Sequence, residues 1–289
     1  MSDLQTAPPL EAMAAATRLA TARPDPYAAR TARAAAASPL LKLADADPDA
    51  AKAVAEMRSA VRALPPRQDD AAAVLAGRRM PPTRTDGLFD DVSLRVVPYD
   101  YTGTNGGNAR MYPDRETGML SLSGKSGHIE GGLSGQVAGT CWVGTTVYSD
   151  GARPVRCAPL LNWQASWSLS VAGVPDGFFG ADPWASARGG VQIQAYDGNG
   201  PVSALESREV FNQDKRGAPG ADWDTNSGSD SGTPSNMNIW FDLPAGAPRW
   251  VNVLAYLDLN AAYTGAFNVA AASAGLEVKV VWIVVDWQP

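Results

Sequence analysis

The run Asp222-Trp223-Asp224-Thr225-Asn226-Ser227-Gly228-Ser229-Asp230 sets side-chain oxygens at alternate positions. Such a run suits calcium, which takes six to eight oxygen ligands. The candidate ligands are Asp222, Asp224, Asn226 and Asp230. Two positions depart from the helix–loop–helix calcium motif: Ser227 stands where the sharp-turn glycine belongs, and Thr233 where the bidentate glutamate belongs. The competing expectation is a polar surface loop without an ion. No other cofactor is indicated.

Tryptophan offers a second kind of chemistry, because its flat ring covers apolar surface while its N–H donates. Trp184 and Trp223 fall in stretches read as loops, Trp240 sits on the polar side of an alternating segment, and Trp287 closes an apolar terminal segment. These four are candidate ligand platforms or interface anchors. Trp163 and Trp167 are expected in the core.

Catalytic sets are sparse. His128 is the only histidine and lies in the glycine-rich turn Gly124-Lys125-Ser126-Gly127-His128. No Gly-x-Ser-x-Gly elbow accompanies it. Gly124-Lys125-Ser126 matches the end of a phosphate-binding loop, but Met119 replaces the first glycine and no helix follows. Cys141 and Cys157 form no disulfide framework and, with one histidine, have no zinc spacing. They are expected to be reduced thiols packed as small apolar residues. Paired carboxylates for glycoside hydrolysis are not identifiable from the chain. A non-enzymatic protein is expected.

The elements that must carry these residues change character near residue 86. Residues 1–85 hold 26 alanines and a single glycine, Gly77, whereas all nine tryptophans follow, from Trp142 on. Alanine favours helix, and glycine-punctuated, Trp-rich sequence favours short strands and tight turns. Residues 1–85 are therefore expected to form a helical and extended arm, and 86–289 a β domain. Within the arm, Asp25-Pro26, Ser38-Pro39 and Asp47-Pro48 place capping residues ahead of prolines suited to a first turn. The best helix runs from Pro48 to Leu64, with Val54, Met57, Val61 and Leu64 on one face as a packing stripe.

Beyond the linker, apolar and polar residues alternate with period two. Trp163, Ala165, Trp167, Leu169 and Val171 oppose Gln164, Ser166, Ser168 and Ser170, which predicts one buried and one wet face. About nine strands are expected, at 91–97, 118–123, 137–148, 163–171, around 191–194, 202–211, 236–243, 249–259 and 276–287. No helical period separates them, so an antiparallel two-sheet sandwich, jelly-roll-like in size, is favoured over a βαβ fold. The last strand is apolar on both sides in its second half. It is either central with both faces covered, or one face meets the arm or a partner.

Charge divides along the same boundary. The arm has 12 Lys and Arg against 9 Asp and Glu, a net +3, while the rest carries −9. Arg18, Arg23, Arg30 and Arg33 give the arm a diluted basic face suited to some nucleic-acid contact, although interspersed acids favour a solvated helix surface. No stretch reaches the roughly 18 apolar residues of a membrane span, and the start lacks a signal-peptide pattern. Cytoplasmic synthesis is expected.

The architecture, though no motif, resembles single jelly-roll capsid subunits, whose arms run across neighbouring subunits. That resemblance implies a non-enzymatic structural subunit of a virion, such as a bacteriophage capsid, capsid-decoration or tail protein, assembled in host cytoplasm through self-association and contacts with other subunits. The alternative expectations are a carbohydrate-binding or lectin-like sandwich using loop tryptophans, and a polysaccharide hydrolase.

Overall fold

The computed structural model describes residues 45–62, 71–76, 80, 92–127, 134–173, 183–217, 220–234, 236–262 and 268–287. Among them, helices α1 (Pro48–Arg62) and α2 (Ala71–Ala76) precede thirteen strands. Asp47 begins α1 as the sequence suggests, its carboxylate accepting the Asp49 N–H at 2.9 Å. His128 and most of the arm lie outside the described residues, as does Leu64. Met57 and Val61 lie within α1, but their side chains are likewise outside. Val54, from the same stripe, is buried.

The strands form two antiparallel sheets packed as a sandwich. The seven-stranded sheet is built on two long strands, β6 (Arg153–Gly173) and β13 (Asn268–Trp287), paired along most of their length. Four shorter strands split the outer edges of that pair. β10 (Gly220–Gly232) and β11 (Ile239–Leu243) follow one another along β6, while β4 (Met119–Gly127) and β1 (Val92–Val96) do so along β13. β3 (Arg110–Asp114) extends the sheet beyond β4. The six-stranded sheet centres on β12 (Arg249–Ala262), flanked by β5 (Ser134–Val147) and β7 (Trp184–Asp197). β2 (Tyr101–Asn105) joins β5, and β8 (Gly200–Pro201) and β9 (Glu206–Arg216) join β7.

One core fills the space between the sheets. Leu161, Leu169, Val171, Leu276, Val278 and Val280 from one sheet meet Val143, Ile193, Val253, Leu257 and Leu259 from the other. Each such fully buried aliphatic side chain contributes roughly 1.5–3 kcal/mol relative to exposure. Cys141 and Cys157 sit in this core on opposite sheets, as free buried thiols. Burial raises both thiol pKa values well above the ordinary range.

The double-sided apolar character of the last strand has a local cause. β13 slips register against β6 between Val280 and Trp282, so Val281 is an inserted residue. Such a bulge reverses which parity faces inward. Leu276, Val278 and Val280 are core residues before it, and Ile283 and Val285 after it. Trp282 and Val284 are thereby turned to the outer face, where they are half-buried. β13 is central, as one expectation held, and α2 also packs against β13, β6 and β4.

The 163–171 segment alternates as expected, but its polar face is not wet. Gln164, Ser166, Ser168 and Ser170 are at most 3% exposed. The facing positions on β13 are Ala271, Ser273 and Gly275, so this outer surface is made of small groups. An Ala-rich helix such as α2 can approach such a surface closely, and Leu75 on α2 is buried. Gln164 meets its polar needs by donating to Glu277 at 2.6 Å.

The strand count exceeds the expected nine. β2 and β3 are too short to show a period. β10 occupies the polar run read as a loop, because its inward positions are glycine, Asn and Asp at the rim of the sandwich. There Lys215 of β9 pairs with Asp224 at 2.6 Å, and Asn226 donates to the Asp214 carbonyl at 3.5 Å, tying the two sheet edges together.

Candidate functional site

The outer face of the six-stranded sheet carries a cleft of about 380 Å³, lined chiefly by Asn105, Gly106, Gly107, Gln136, Tyr256 and Asp258. Three adjacent rows of registered residues make up its surface. Asn105, Thr140, Tyr256 and Gly190 form one row across β2, β5, β12 and β7. Ala138, Asp258 and Arg188 form the next, followed by Gln136, Asn260 and Ser186. β12 can supply this surface because its residues alternate strictly. Val253, Ala255, Leu257 and Leu259 enter the core, and Tyr256, Asp258 and Asn260 point outward.

Tyr256 forms the floor. Its registered neighbour on β7 is Gly190, and a Cβ placed there would stand 2.5 Å from the tyrosine ring. The ring therefore packs against the glycine, and the residue is half-buried. Gly106 and Gly107 close one end, with φ of 81° and 60°, values in the left-handed region that glycine tolerates. A Cβ on Gly107 would be 1.7 Å from the Ala138 carbonyl oxygen, so only glycine lets this turn rest on β5.

Asp258 is the fixed polar centre, 6% exposed. Its Oδ1 accepts from Gln136 Nε2 at 3.1 Å and Asn260 Nδ2 at 3.2 Å. Its Oδ2 accepts from Arg188 Nε at 2.9 Å and also from Arg188 Nη2. Four donors thus hold one carboxylate, and charge-assisted bonds of this kind are among the stronger ones in proteins. Among the described lining residues Asp258 is the sole carboxylate. Glycosidic cleavage commonly uses two facing carboxyl groups, one as acid and one as base or nucleophile.

The aromatic-over-glycine arrangement recurs on the same face. Trp142 covers its registered partner Gly103, and Tyr101 covers Gly144, its hydroxyl donating to Asn252 Oδ1 at 2.7 Å.

The residues singled out in the sequence lie elsewhere. Asp222, Trp223, Asp224, Asn226 and Asp230 belong to strand β10 rather than to a loop. Alternate residues of a strand stand about 7 Å apart. That spacing does not converge the four oxygens on one ion, and Asp224 is already paired with Lys215. The side chains of Asp222 and Trp223 are outside the described residues. Among the described residues no cluster of three or more His, Cys, Asp or Glu forms a metal site. Trp184 opens β7 rather than sitting in a loop, and it is half-buried. Trp240 is 53% exposed on the outer side of β11. Trp287 is half-buried with the Arg153 guanidinium 5.7 Å from its ring centroid. Gly124, Lys125 and Ser126 lie within β4, with Ser126 donating to the Gly135 carbonyl, so they form no phosphate loop. No helix among the described residues is long and apolar enough to cross a membrane.

The sequence held one signal for the cleft: the polar face of an otherwise apolar central strand, 252–260. Nothing in it places Asn105 and Gln136 beside that face, since their position follows only from strand register.

No protein family and no curated protein matches the chain. Among solved structures it is similar to the enzymatically active domain of bacteriophage CBA120 tailspike protein 4, at 14% identity and a TM-score of 0.16, covering 69% of this chain and 20% of that one. It is also similar to a carbohydrate-binding module solved with β-1,4-galactotriose, at 7% identity and a TM-score of 0.20, covering 66% and 90%. A third is a carbohydrate-binding module from Cellvibrio mixtus lichenase 5A solved with cellotriose, at 14% identity and a TM-score of 0.18, covering 68% and 98%. Likeness at this level assigns neither family nor activity.

Proposed function

We propose that this protein is a non-catalytic saccharide-binding β-sandwich whose binding surface is the cleft over Tyr256. The carrying observation is the tyrosine ring seated against Gly190 beside the Asp258–Gln136–Asn260 hydrogen-bond cluster. A sugar ring has one apolar C–H face and a rim of hydroxyls. An aromatic plane takes the first, and amides that a buried carboxylate holds in place take the second. Because Asp258 and its donors are already ordered, binding requires little further loss of side-chain freedom. The volume falls at the lower end of the range of small-molecule sites.

The test is affinity electrophoresis of the full chain in gels containing soluble polysaccharides, followed by calorimetric titration with the oligosaccharide of any that retards it. Retardation that Tyr256→Ala abolishes supports the reading. Unretarded migration in every polysaccharide overturns it.

A second reading, a structural subunit of a virion, is favoured by a different observation. Trp240, 53% exposed on edge strand β11, and Tyr112, 66% exposed on edge strand β3, leave large aromatic side chains in solvent on the seven-stranded sheet. Aromatics of this kind anchor subunit contacts. Analytical ultracentrifugation of the full chain tests this reading, and a monomer at high concentration overturns it.

A further inference from the structure

We infer that the cleft selects neutral saccharides and rejects those carrying carboxylates, an inference that rests on the saccharide-binding reading above. It follows from where the charges at the site are spent. Among the described residues lining the cleft, Asp258 is the only charged one. Its counter-ion, Arg188, is a registered neighbour on β7 and directs both Nε and Nη2 to Asp258 Oδ2. The guanidinium is therefore engaged with the protein's own carboxylate and is not offered to a ligand's.

The adjoining strand supplies no replacement. Along β9, Arg208 pairs with Glu206 at 2.8 Å, Lys215 with Asp224 at 2.6 Å and Arg216 with Asp214 at 3.0 Å. Glu209, which lies in register with Gly190, adds further negative charge, and its Oε1 accepts from the neutral Asn212 amide at 2.9 Å. The net charge of −9 over residues 86–289 has the same sign. A uronate or sialate entering the cleft would therefore lose water from its carboxylate, find Arg188 and the β9 cations engaged by the protein's own acids and approach the carboxylate of Asp258. Each of these effects disfavours binding. A neutral sugar incurs none of them and uses the amides and hydroxyls of the lining as hydrogen-bond partners for its own hydroxyls.

Replacing Asp258 by Asn should reverse part of this preference. The amide keeps the side-chain shape but removes the negative charge, which leaves Arg188 without its counter-ion at the edge of the cleft. Arginine in that state is well suited to bind a carboxylate in two-pronged fashion.

The experiment compares matched oligosaccharides against the full chain by calorimetry: a neutral galactan or glucan oligomer, and the same backbone oxidised to the uronic acid at C6. The expected result is at least tenfold tighter binding of the neutral member. The ratio should shrink in molar salt, because screening weakens charge exclusion and leaves shape exclusion untouched. In Asp258→Asn the ratio should fall or invert. Equal or tighter binding of the uronate by the unmodified protein overturns the inference while leaving saccharide binding intact. A preference unaffected by salt also overturns it, since exclusion would then be steric. Failure of both oligomers and of the wider polysaccharide panel to bind removes the saccharide reading itself.

Discussion

The Tyr256 ring lies across Gly190, its registered partner on the neighbouring strand, so closely that a Cβ on the glycine would be 2.5 Å from both the ring and its hydroxyl oxygen. The same relation joins Trp142 to Gly103, Tyr101 to Gly144 and Trp167 to Gly228. In each pair the missing side chain on one strand is the space filled by the aromatic on the next. The glycines of this β domain thus act as seats for aromatic rings as well as turn residues.

Gly190→Ala should break the seat under Tyr256. The new methyl would also stand 2.5 Å from the Arg208 carbonyl oxygen, which is backbone and cannot swing aside. Overpacking of this kind costs roughly 1–3 kcal/mol. Chemical denaturation should show that loss, and saccharide binding should weaken at least tenfold because the ring is tilted. Gly103→Ala, which drives a methyl to within 2.4 Å of the Trp142 ring, should destabilise comparably.

Deleting Val281 should be tolerated far better than adding a residue beyond it. Val281 is the unpaired residue of the β13 bulge, so its removal leaves Val280 opposite Leu161 and Trp282 opposite Leu160, and Ile283 and Val285 stay in the core. An alanine inserted between Ile283 and Val284 should instead turn Val285 outward, and loss of that buried side chain is worth roughly 1.5–3 kcal/mol. Val281→Ala, at a half-buried position, should cost about 1 kcal/mol or less. Thermal unfolding of the three variants, read by circular dichroism, separates the register of β13 from an ordinary packing position.

The buried thiols should make the fold sensitive to alkali. Burial raises the pKa of Cys141 and Cys157, so the folded state keeps its thiol protons where the unfolded chain has released them. The stabilisation is complete below the unfolded thiol value and is lost as pH rises above it. Urea midpoints measured from pH 7 upward should fall once the ordinary thiol range, near 9.0, is passed. The Cys141→Ala, Cys157→Ala double variant should show a shallower fall. Neither native thiol should react with a bulky disulfide reagent at neutral pH, as both are fully buried.

Trp240→Ser should leave stability within about 0.5 kcal/mol, since the side chain is largely in solvent. If Trp240 anchors an assembly, the same change should lower the sedimenting mass of the full chain.

Much of this architecture is written in local pattern. The alanine-rich segments 48–62 and 71–76 coil, as α1 and α2, and Trp163 to Val171 alternates as a strand because one side faces an apolar core. Three features were not legible, each for a physical reason. β10 lacks an apolar period because its inward side meets the polar rim of the sandwich, where Asp224 and Asn226 find partners on β9. The polar side of β6 reads as solvent-facing, yet is covered, because small serines permit close packing as readily as they permit hydration. The cleft draws Asn105, Gln136 and Tyr256 from strands far apart in the chain, and register alone joins them.

The most direct test places a reporter on the floor of the cleft. In the full chain with isotope-labelled tyrosine rings, titration with a neutral oligosaccharide should shift the Tyr256 resonances, assigned by their loss in Tyr256→Phe. Tyr112 and Tyr148, which are more exposed, should stay in place. An unmoved Tyr256 at saturating oligosaccharide, or equal shifts at all three rings, would contradict a binding surface centred on that ring.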